Sequence, residues 1–199
     1  MTKNTTLRQL SGLADQPVAM AESALIMIDC QNTYTQGVLE LDGVQAALEQ
    51  AAILLDRARS ARIPIFHVMH DAGPGSPYDV LAPIGRIVDL VAPRDGEPVI
   101  VKTFPNAFTG TDLDDQLSAA SRRDVILAGF MTHMCVSSTA RGAFSLGYRP
   151  EVVAGATATR ALPGLEDEPI PAAALQVASL AAVSDLFGVV VPNAGDIPD

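Results

Sequence analysis

The chain has 199 residues and a net charge of −10 at neutral pH, and 48% of its residues are hydrophobic. This composition excludes a disordered chain and is typical of a globular protein long enough to bury a substantial core. The negative charge argues against nucleic acid as a partner, since binding to phosphates needs a basic surface. No apolar run approaches the ~20 residues of a membrane helix, so a membrane is not a predicted partner either.

The organisation of the chain predicts one domain preceded by an arm. Residues 1–22 are polar and mixed, without the basic and then apolar pattern of a signal peptide, and residues 23–199 contain no linker that would divide them. The two cysteines are too few for a disulfide framework and are not spaced as CxxC. We therefore expect a reduced, cytoplasmic location.

Short apolar strands alternate with helices along the chain. The strands are predicted at residues 24–28, 63–68, 98–101, 123–128, 151–154 and 187–191. The main helices are predicted at residues 44–62, 112–120, 132–146 and 170–183, with a short interrupted helix within 80–90. This alternation predicts a six-stranded parallel sheet with helices on both faces, which is a three-layer α/β/α domain.

Three chemically different side chains follow the first, third and fourth predicted strands. They are Asp29, Lys102 and Cys135. In open parallel sheets, ligands bind outside the carboxyl ends of the strands. The sequence therefore predicts that an acid, a base and a thiol meet at one edge of the sheet.

These three groups are sufficient for acyl transfer. Cys135 is predicted in the first turn of a helix, where the dipole would lower the pKa of the thiol and favour a nucleophilic thiolate. Asp29 can take the thiol proton and pass it to a leaving amine, while Lys102 stabilises both anions. Backbone N–H groups of the turn at residues 130–135 can hold the oxyanion, and water then cleaves the thioester.

Three segments carry a resemblance to a known family. They are residues 25–32 (Leu-Ile-Met-Ile-Asp-Cys-Gln-Asn), 101–108 (Val-Lys-Thr-Phe-Pro-Asn-Ala-Phe) and 129–141 (Gly-Phe-Met-Thr-His-Met-Cys-Val-Ser-Ser-Thr-Ala-Arg). In this order they resemble the isochorismatase-like cysteine hydrolases, which include nicotinamidases, carbamoylsarcosine amidases and streptothricin hydrolase. The resemblance covers about residues 20–192, and it implies the isochorismatase-like hydrolase fold and a homo-oligomer, either a dimer or a tetramer.

The resemblance also implies roles for individual residues. The catalytic Asp, Lys and Cys of the family fall on Asp29, Lys102 and Cys135, and its non-proline cis peptide falls at Phe130–Met131. The oxyanion donors would be the amides of Met131 and Cys135. The aromatic residue that packs on the substrate corresponds to Tyr34.

Further substrate contacts are predicted from position alone. Phe104 and Phe108 flank the segment after Lys102, whereas Phe130 and His133 lie close to the nucleophile in the sequence. Each has a plain structural alternative, since aromatic residues above a sheet are commonly part of the core.

Departures from the family restrict the chemistry. The Asp-x-His metal motif of nicotinamidases is absent from residues 66–77, so neither a metal nor another cofactor is predicted. His67 and His70 are three residues apart, which places them on opposite faces of a strand, a poor arrangement for a shared metal. Isochorismatases that cleave a vinyl ether lack the cysteine, so Cys135 argues against that reaction.

The sequence thus predicts a cysteine hydrolase that cleaves the C–N bond of a small non-peptide amide or lactam through a thioester. One alternative is an isochorismatase-type vinyl-ether hydrolase in which Asp29 is the general acid. The other is a thiol-based redox or binding protein that keeps the fold without hydrolysis.

Overall fold

A computed structural model describes residues 5–165 and 168–199. Its centre is a sheet in which every neighbouring pair of strands is parallel. The strands are β1 (Ser23–Ile28), β2 (Ile65–His70), β3 (Val99–Lys102), β4 (Asp124–Phe130), β5 (Arg149–Ala158) and β6 (Val189–Val191). They lie in the order β3-β2-β1-β4-β5-β6, so β1 and β4 form the middle of the sheet.

Helices cover both faces of this sheet. They are α2 (Val44–Ala61), α3 (Leu113–Ala119), α4 (Ser137–Ser145) and α5 (Ala172–Ser184), whereas the short helix α1 (Leu7–Leu10) lies in the N-terminal arm. One apolar core lies between the sheet and α2, and a second lies between the opposite face and α3, α4 and α5. The predicted three-layer α/β/α architecture is confirmed. No helix in the described ranges is long and apolar enough to cross a membrane.

Burial on both faces of the sheet explains why the sequences of the central strands are continuously apolar. In β1, Leu25 and Met27 belong to the core beneath α2, whereas Ala24, Ile26 and Ile28 belong to the core on the other face. Successive side chains of a strand point to opposite faces, so a strand covered on both sides needs apolar residues at every position.

Two of the predicted helices were wrong in helix type. Residues 80–90 contain no α-helix but two single 3-10 turns, Pro83–Gly85 and Asp89–Val91. A Cβ at Gly85 would lie 2.1 Å from the Asp79 carbonyl oxygen, so this segment folds tightly on itself. The predicted helix at 132–146 begins instead with a π turn, Thr132–Val136, and becomes α-helical at Ser137.

Other differences concern the length of β5 and the segment between β5 and α5. This strand extends to Ala158, four residues beyond its predicted end, with a register shift against β4 between Leu127 and Gly129. A short antiparallel pair, Leu162–Pro163 and Pro169–Ile170, precedes α5. The remaining helix and strand ends differ from the prediction by one or two residues, the usual uncertainty of such boundaries.

The described part of the predicted arm, residues 5–22, packs on the same chain. The backbone N–H of Arg8 donates to the Asp185 carbonyl at 2.7 Å, and the N–H of Val18 donates to Glu151 Oε2 at 3.1 Å. The arm therefore lies at the end of the sheet where β5 and β6 begin. Its separation from the domain at residue 23 stays a prediction.

Gly129 allows β1 and β4 to approach each other beside the functional edge of the sheet. Its φ is +116°, and a Cβ there would lie 1.9 Å from the Ile28 carbonyl oxygen. We expect Gly129→Ala to lower the free energy of unfolding by about 3 kcal/mol or more, through backbone strain and this clash. Urea unfolding measures the change.

The matched control is Gly195→Ala, because an added Cβ there meets nothing within 4 Å. We expect that variant to stay within about 0.5 kcal/mol of the wild type, as exposed substitutions usually do. Equal stability of the two variants would contradict the close approach of β1 and β4.

Glu151, beneath the arm, makes stability depend on pH. Burial, with a smaller contribution from Asp124, raises the pKa of Glu151 to about 7. The folded protein therefore holds this proton more tightly than the unfolded chain, and the stabilisation is present at pH 4 and lost as the pH rises through 7. In Glu151→Gln this loss disappears, so between pH 4 and 8 the wild type should weaken relative to the variant by about 3 kcal/mol. Urea unfolding across this range tests it, and a constant difference would refute it.

Candidate active site

The three side chains predicted to meet do so at the carboxyl edge of the sheet. Lys102, the last residue of β3, places its Nζ 2.7 Å from Asp29 Oδ2 and 3.4 Å from Cys135 Sγ. Asp29 is 0%, Lys102 1% and Cys135 5% exposed. An acid, an ammonium and a thiol thus share one buried site.

The backbone turns sharply at Asp29, directly after β1. Its φ is +49°, in the left-handed region, where aspartate is better tolerated than most residues but still costs about 1–2 kcal/mol. The N–H of Asp29 donates to the Val68 carbonyl and its carbonyl accepts from the N–H of Gln31. An unfavourable conformation held by two hydrogen bonds beside Lys102 is typical of a functional position.

The turn after β4 presents the thiol. The Phe130–Met131 peptide bond is cis, at the position that the family resemblance implies. The Met131 carbonyl then accepts hydrogen bonds from the amides of Met134 and Val136, which closes the π turn that contains Cys135. Cys135 therefore precedes α4 and does not lie in its first turn.

The prediction that the pKa of the Cys135 thiol is lowered was wrong. Burial and the Asp29 carboxylate raise the pKa of Cys135, and the opposing effect of Lys102 is smaller. Burial also raises the pKa of Asp29, against the attraction of Lys102. One ammonium in a dry site stabilises one anion better than two, so the Asp29–Lys102 ion pair disfavours a thiolate at Cys135.

Two of the predicted substrate contacts are joined in an aromatic cluster. Tyr34 is buried and packs edge-on against Phe130, with ring centroids 5.7 Å apart. The Tyr34 hydroxyl donates to the hydroxyl of Tyr78 at 3.2 Å. This cluster connects the turn at Met131 to the loop that follows β2.

The other predicted contacts have neighbours outside the three-residue site. His133 Nδ1 lies 2.5 Å from Thr159 Oγ1 at the end of β5. Phe108 stacks on Tyr148, whereas Phe104 is 54% exposed. Their contact with substrate, and the oxyanion donors at Met131 and Cys135, stay predictions.

The second cysteine is a core residue. Cys30 is buried, and burial together with Asp29 raises the pKa of its thiol. Its Sγ contacts the Ile28 carbonyl at 3.8 Å. This agrees with the interpretation that Cys30 serves packing.

Sequence reasoning missed His70 and Gln31 as parts of this site. His70 Nδ1 lies 3.2 Å from Lys102 Nζ. The buried Gln31 side chain accepts from the His70 N–H at 2.9 Å and donates to the His70 carbonyl at 3.0 Å. The proximity of Gln31 to Asp29 was the available signal, whereas the spacing of His70 from His67 suggested only a metal ligand.

The two histidines of β2 do not share a ligand. His67 Nε2 contacts Glu97 Oε2 at 3.0 Å, away from Lys102 and His70. Within residues 5–165 and 168–199, no group of three or more His, Cys, Asp or Glu side chains is arranged to hold a metal ion.

Comparison with known proteins places this chain in a family. A family model described as the isochorismatase domain matches residues 23–193. The chain belongs to the isochorismatase family. An isochorismatase from Pseudomonas putida KT2440 superimposes with a TM-score of 0.93 at 39% identity, covering 97% of this chain and 99% of that one.

Two relatives of this chain carry names that describe different functions. The secreted isochorismatase effector Isc1 of Verticillium dahliae is 31% identical, covering 95% of this chain and 97% of its own. The ureidoacrylate amidohydrolase RutB of Stutzerimonas stutzeri is 31% identical, covering 71% of this chain and 73% of its own.

The balance of charges at the thiol can be tested by removing one anion. In Asp29→Asn the repulsion between carboxylate and thiolate is lost while Lys102 remains, so the pKa of Cys135 should fall by at least about one unit. The pH dependence of alkylation by iodoacetamide, resolved by mass spectrometry of the Cys135 peptide, measures this shift.

Lys102→Met is the opposite control, because it removes the cation and should raise the pKa of Cys135. The buried Cys30 thiol reports any general loosening of the fold in both variants. A rise in the pKa of Cys135 in Asp29→Asn would contradict the electrostatic description.

Proposed function

We propose that this protein is a cysteine hydrolase that cleaves the C–N bond of a small non-peptide amide or lactam through a Cys135 thioester. The observation that carries the proposal is the contact of Lys102 Nζ with both Asp29 Oδ2 and Cys135 Sγ in a buried site. A nucleophile, a base and a fixed cation at one point are the minimum set for such a reaction.

Acylation begins from the protonated thiol. Cys135 Sγ attacks the substrate carbonyl as its proton passes to Asp29, and the negative charge moves to the carbonyl oxygen. The amides of Met131 and Cys135 are the proposed donors to that oxyanion. When the oxyanion collapses, the C–N bond breaks, and Asp29 gives its proton to the departing nitrogen.

Deacylation reverses these roles. Asp29 takes a proton from water as the water oxygen attacks the thioester carbonyl. The C–S bond breaks, the acid product leaves, and Cys135 recovers its proton from Asp29. The raised pKa of Asp29 suits it to hold the transferred proton for a short time within each half-reaction.

Lys102 is the electrostatic partner in both steps. As the proton moves from sulfur to Asp29, negative charge moves from the carboxylate to the thiolate, and the ammonium contacts both positions. A fixed charge in a dry site stabilises the transferred state without solvent rearrangement. The amidohydrolase activity for which the Stutzerimonas stutzeri relative is named supports a C–N bond as the target.

A second candidate is an isochorismatase-type vinyl-ether hydrolase with Asp29 as general acid. The Verticillium dahliae relative, which is named an isochorismatase and matches nearly the full chain, favours it. The raised pKa of Asp29 is also compatible with proton donation. This reaction does not need a thiol, so the two candidates differ in their dependence on Cys135.

The remaining expectations stay predictions. The proposed reaction needs a small-molecule substrate and no cofactor. Assembly as a homo-oligomer follows from the family resemblance, and light scattering that shows a monomer would contradict it. The cytoplasmic location likewise rests on the sequence.

The test is a screen of small amides, ureides and lactams, together with isochorismate, using wild type, Cys135→Ala and Cys30→Ala. Removal of the nucleophile should reduce amide hydrolysis by about 10⁴-fold or more. Cys30→Ala is the matched control, since it removes a thiol of the core and should retain turnover. Mass spectrometry of the wild type should detect an acyl adduct on Cys135.

Amide hydrolysis that persists in Cys135→Ala would overturn the proposal. Isochorismate turnover that persists there would establish the second candidate. An unreactive Cys135 thiol, with no adduct and no turnover of any compound, would favour the non-hydrolytic alternative.

A further inference from the structure

The surroundings of the Lys102 ammonium include a third side chain that the proposed reaction does not use. An ammonium has three N–H donors. Its acceptors are Asp29 Oδ2 at 2.7 Å, His70 Nδ1 at 3.2 Å and Cys135 Sγ at 3.4 Å. A buried cation is stable only when polar partners surround it, and here one ion-pair partner and two hydrogen-bond partners lie within 3.4 Å of the ammonium.

We propose that His70 is a positioning residue of this site, whose neutral imidazole accepts one N–H of Lys102 and holds the ammonium between Asp29 and Cys135. The inference rests on the proposed function only in taking Lys102 as the cation that stabilises the sulfur. His70 itself does not contact the reacting atoms in this assignment.

The sheet register places the two residues side by side. His70 ends β2 and Lys102 ends β3, and they are paired in the parallel register of these strands. Side chains at the same position of adjacent strands point to the same face, so the contact follows directly from strand pairing. The imidazole is therefore built into the sheet edge, as Lys102 is.

The protonation state of His70 follows from its partner. An ammonium only donates, so Nδ1 must carry the lone pair and the ring proton must lie on Nε2. Burial and Lys102 lower the pKa of His70, whereas Asp71 acts in the opposite direction. Tyr78, another titratable group, packs edge-on against the ring with centroids 4.9 Å apart.

The backbone of His70 and one side of its ring are held by contacts that do not involve Lys102. Gln31 binds both the N–H and the carbonyl of His70, and its Nε2 also donates to the Gly85 carbonyl at 2.7 Å. Tyr78 supports the ring from the side. An acceptor held this firmly can determine where the flexible lysine side chain ends.

The loss of this acceptor has a predictable effect. Asp29 is the anionic and closer partner, so without His70 the ammonium would move toward the carboxylate and away from Cys135 Sγ. The thiolate would then lose part of its stabilisation, and the reactivity of the thiol would shift to higher pH. A purely structural role for His70 would not move that profile.

The experiment compares wild type, His70→Leu and His70→Asn by the rate of Cys135 alkylation with iodoacetamide between pH 6 and 10. Leucine removes the acceptor, whereas asparagine places an amide oxygen close to the position of Nδ1. We expect His70→Leu to slow alkylation at pH 8 about tenfold, which corresponds to a rise of about one unit in the pKa of Cys135. His70→Asn should remain within about threefold of the wild type, and urea unfolding verifies that both variants are folded.

A second measurement needs no variant. Nitrogen-15 NMR of the wild-type histidines at pH 7.5 should show His70 as the neutral tautomer with its proton on Nε2. A proton on Nδ1 would overturn the assignment, as would an alkylation profile of folded His70→Leu that matches the wild type.

These readouts separate the two claims. If no amide is hydrolysed but His70→Leu shifts the alkylation profile, the positioning role stands and the proposed function fails. If Cys135-dependent hydrolysis is found while the profile of His70→Leu is unchanged, the proposed function stands and the positioning role fails.

Discussion

The interaction on which this site depends is the buried ion pair between Asp29 and Lys102. Removing two charges from water costs several kcal/mol per ion, and the attraction between them recovers this only with good geometry and further hydrogen bonds. The two charges are 2.7 Å apart, and Lys102 makes further hydrogen bonds to His70 and Cys135. Loss of one partner would leave an unpaired charge in a dry site, so removal of either Asp29 or Lys102 would destabilise the site.

The backbone near this pair departs from regular geometry at several neighbouring points. Gly129 lets β4 approach β1, Asp29 adopts a left-handed conformation, and the Phe130–Met131 peptide is cis. The π turn then brings Cys135 to Lys102. Each of these departures lies at or near the end of β1 or β4, and both strands are fully buried. Several irregular conformations are thus grouped at the edge that holds the chemistry.

The fold could be predicted because a strand that is buried on both faces has apolar residues at every position. The continuous apolar residues of β1 and β4 could be recognised in the sequence. Asp29 and Cys135, which follow these strands, could then be assigned to the same edge of the sheet. The short interrupted helix predicted within 80–90 was wrong in its type, because this segment forms two separate 3-10 turns, the first of which contains Pro83 and Gly85. The sign of the shift in the pKa of Cys135 depends on burial and on the distance to Asp29, which no local pattern contains. His70 was missed for the same reason, since its contact with Lys102 arises from the pairing of β2 with β3.

The central claim is that the resting site holds an ionised Asp29, a charged Lys102 and a protonated Cys135. Infrared difference spectroscopy between wild type and Cys135→Ala at neutral pH tests it most directly, because the buried Cys30 thiol contributes equally to both spectra and cancels. The account predicts an S–H stretching band in the wild type that the variant lacks. A difference spectrum without that band would mean that Cys135 rests as a thiolate, and would contradict the assignment of Asp29 as the base that takes its proton.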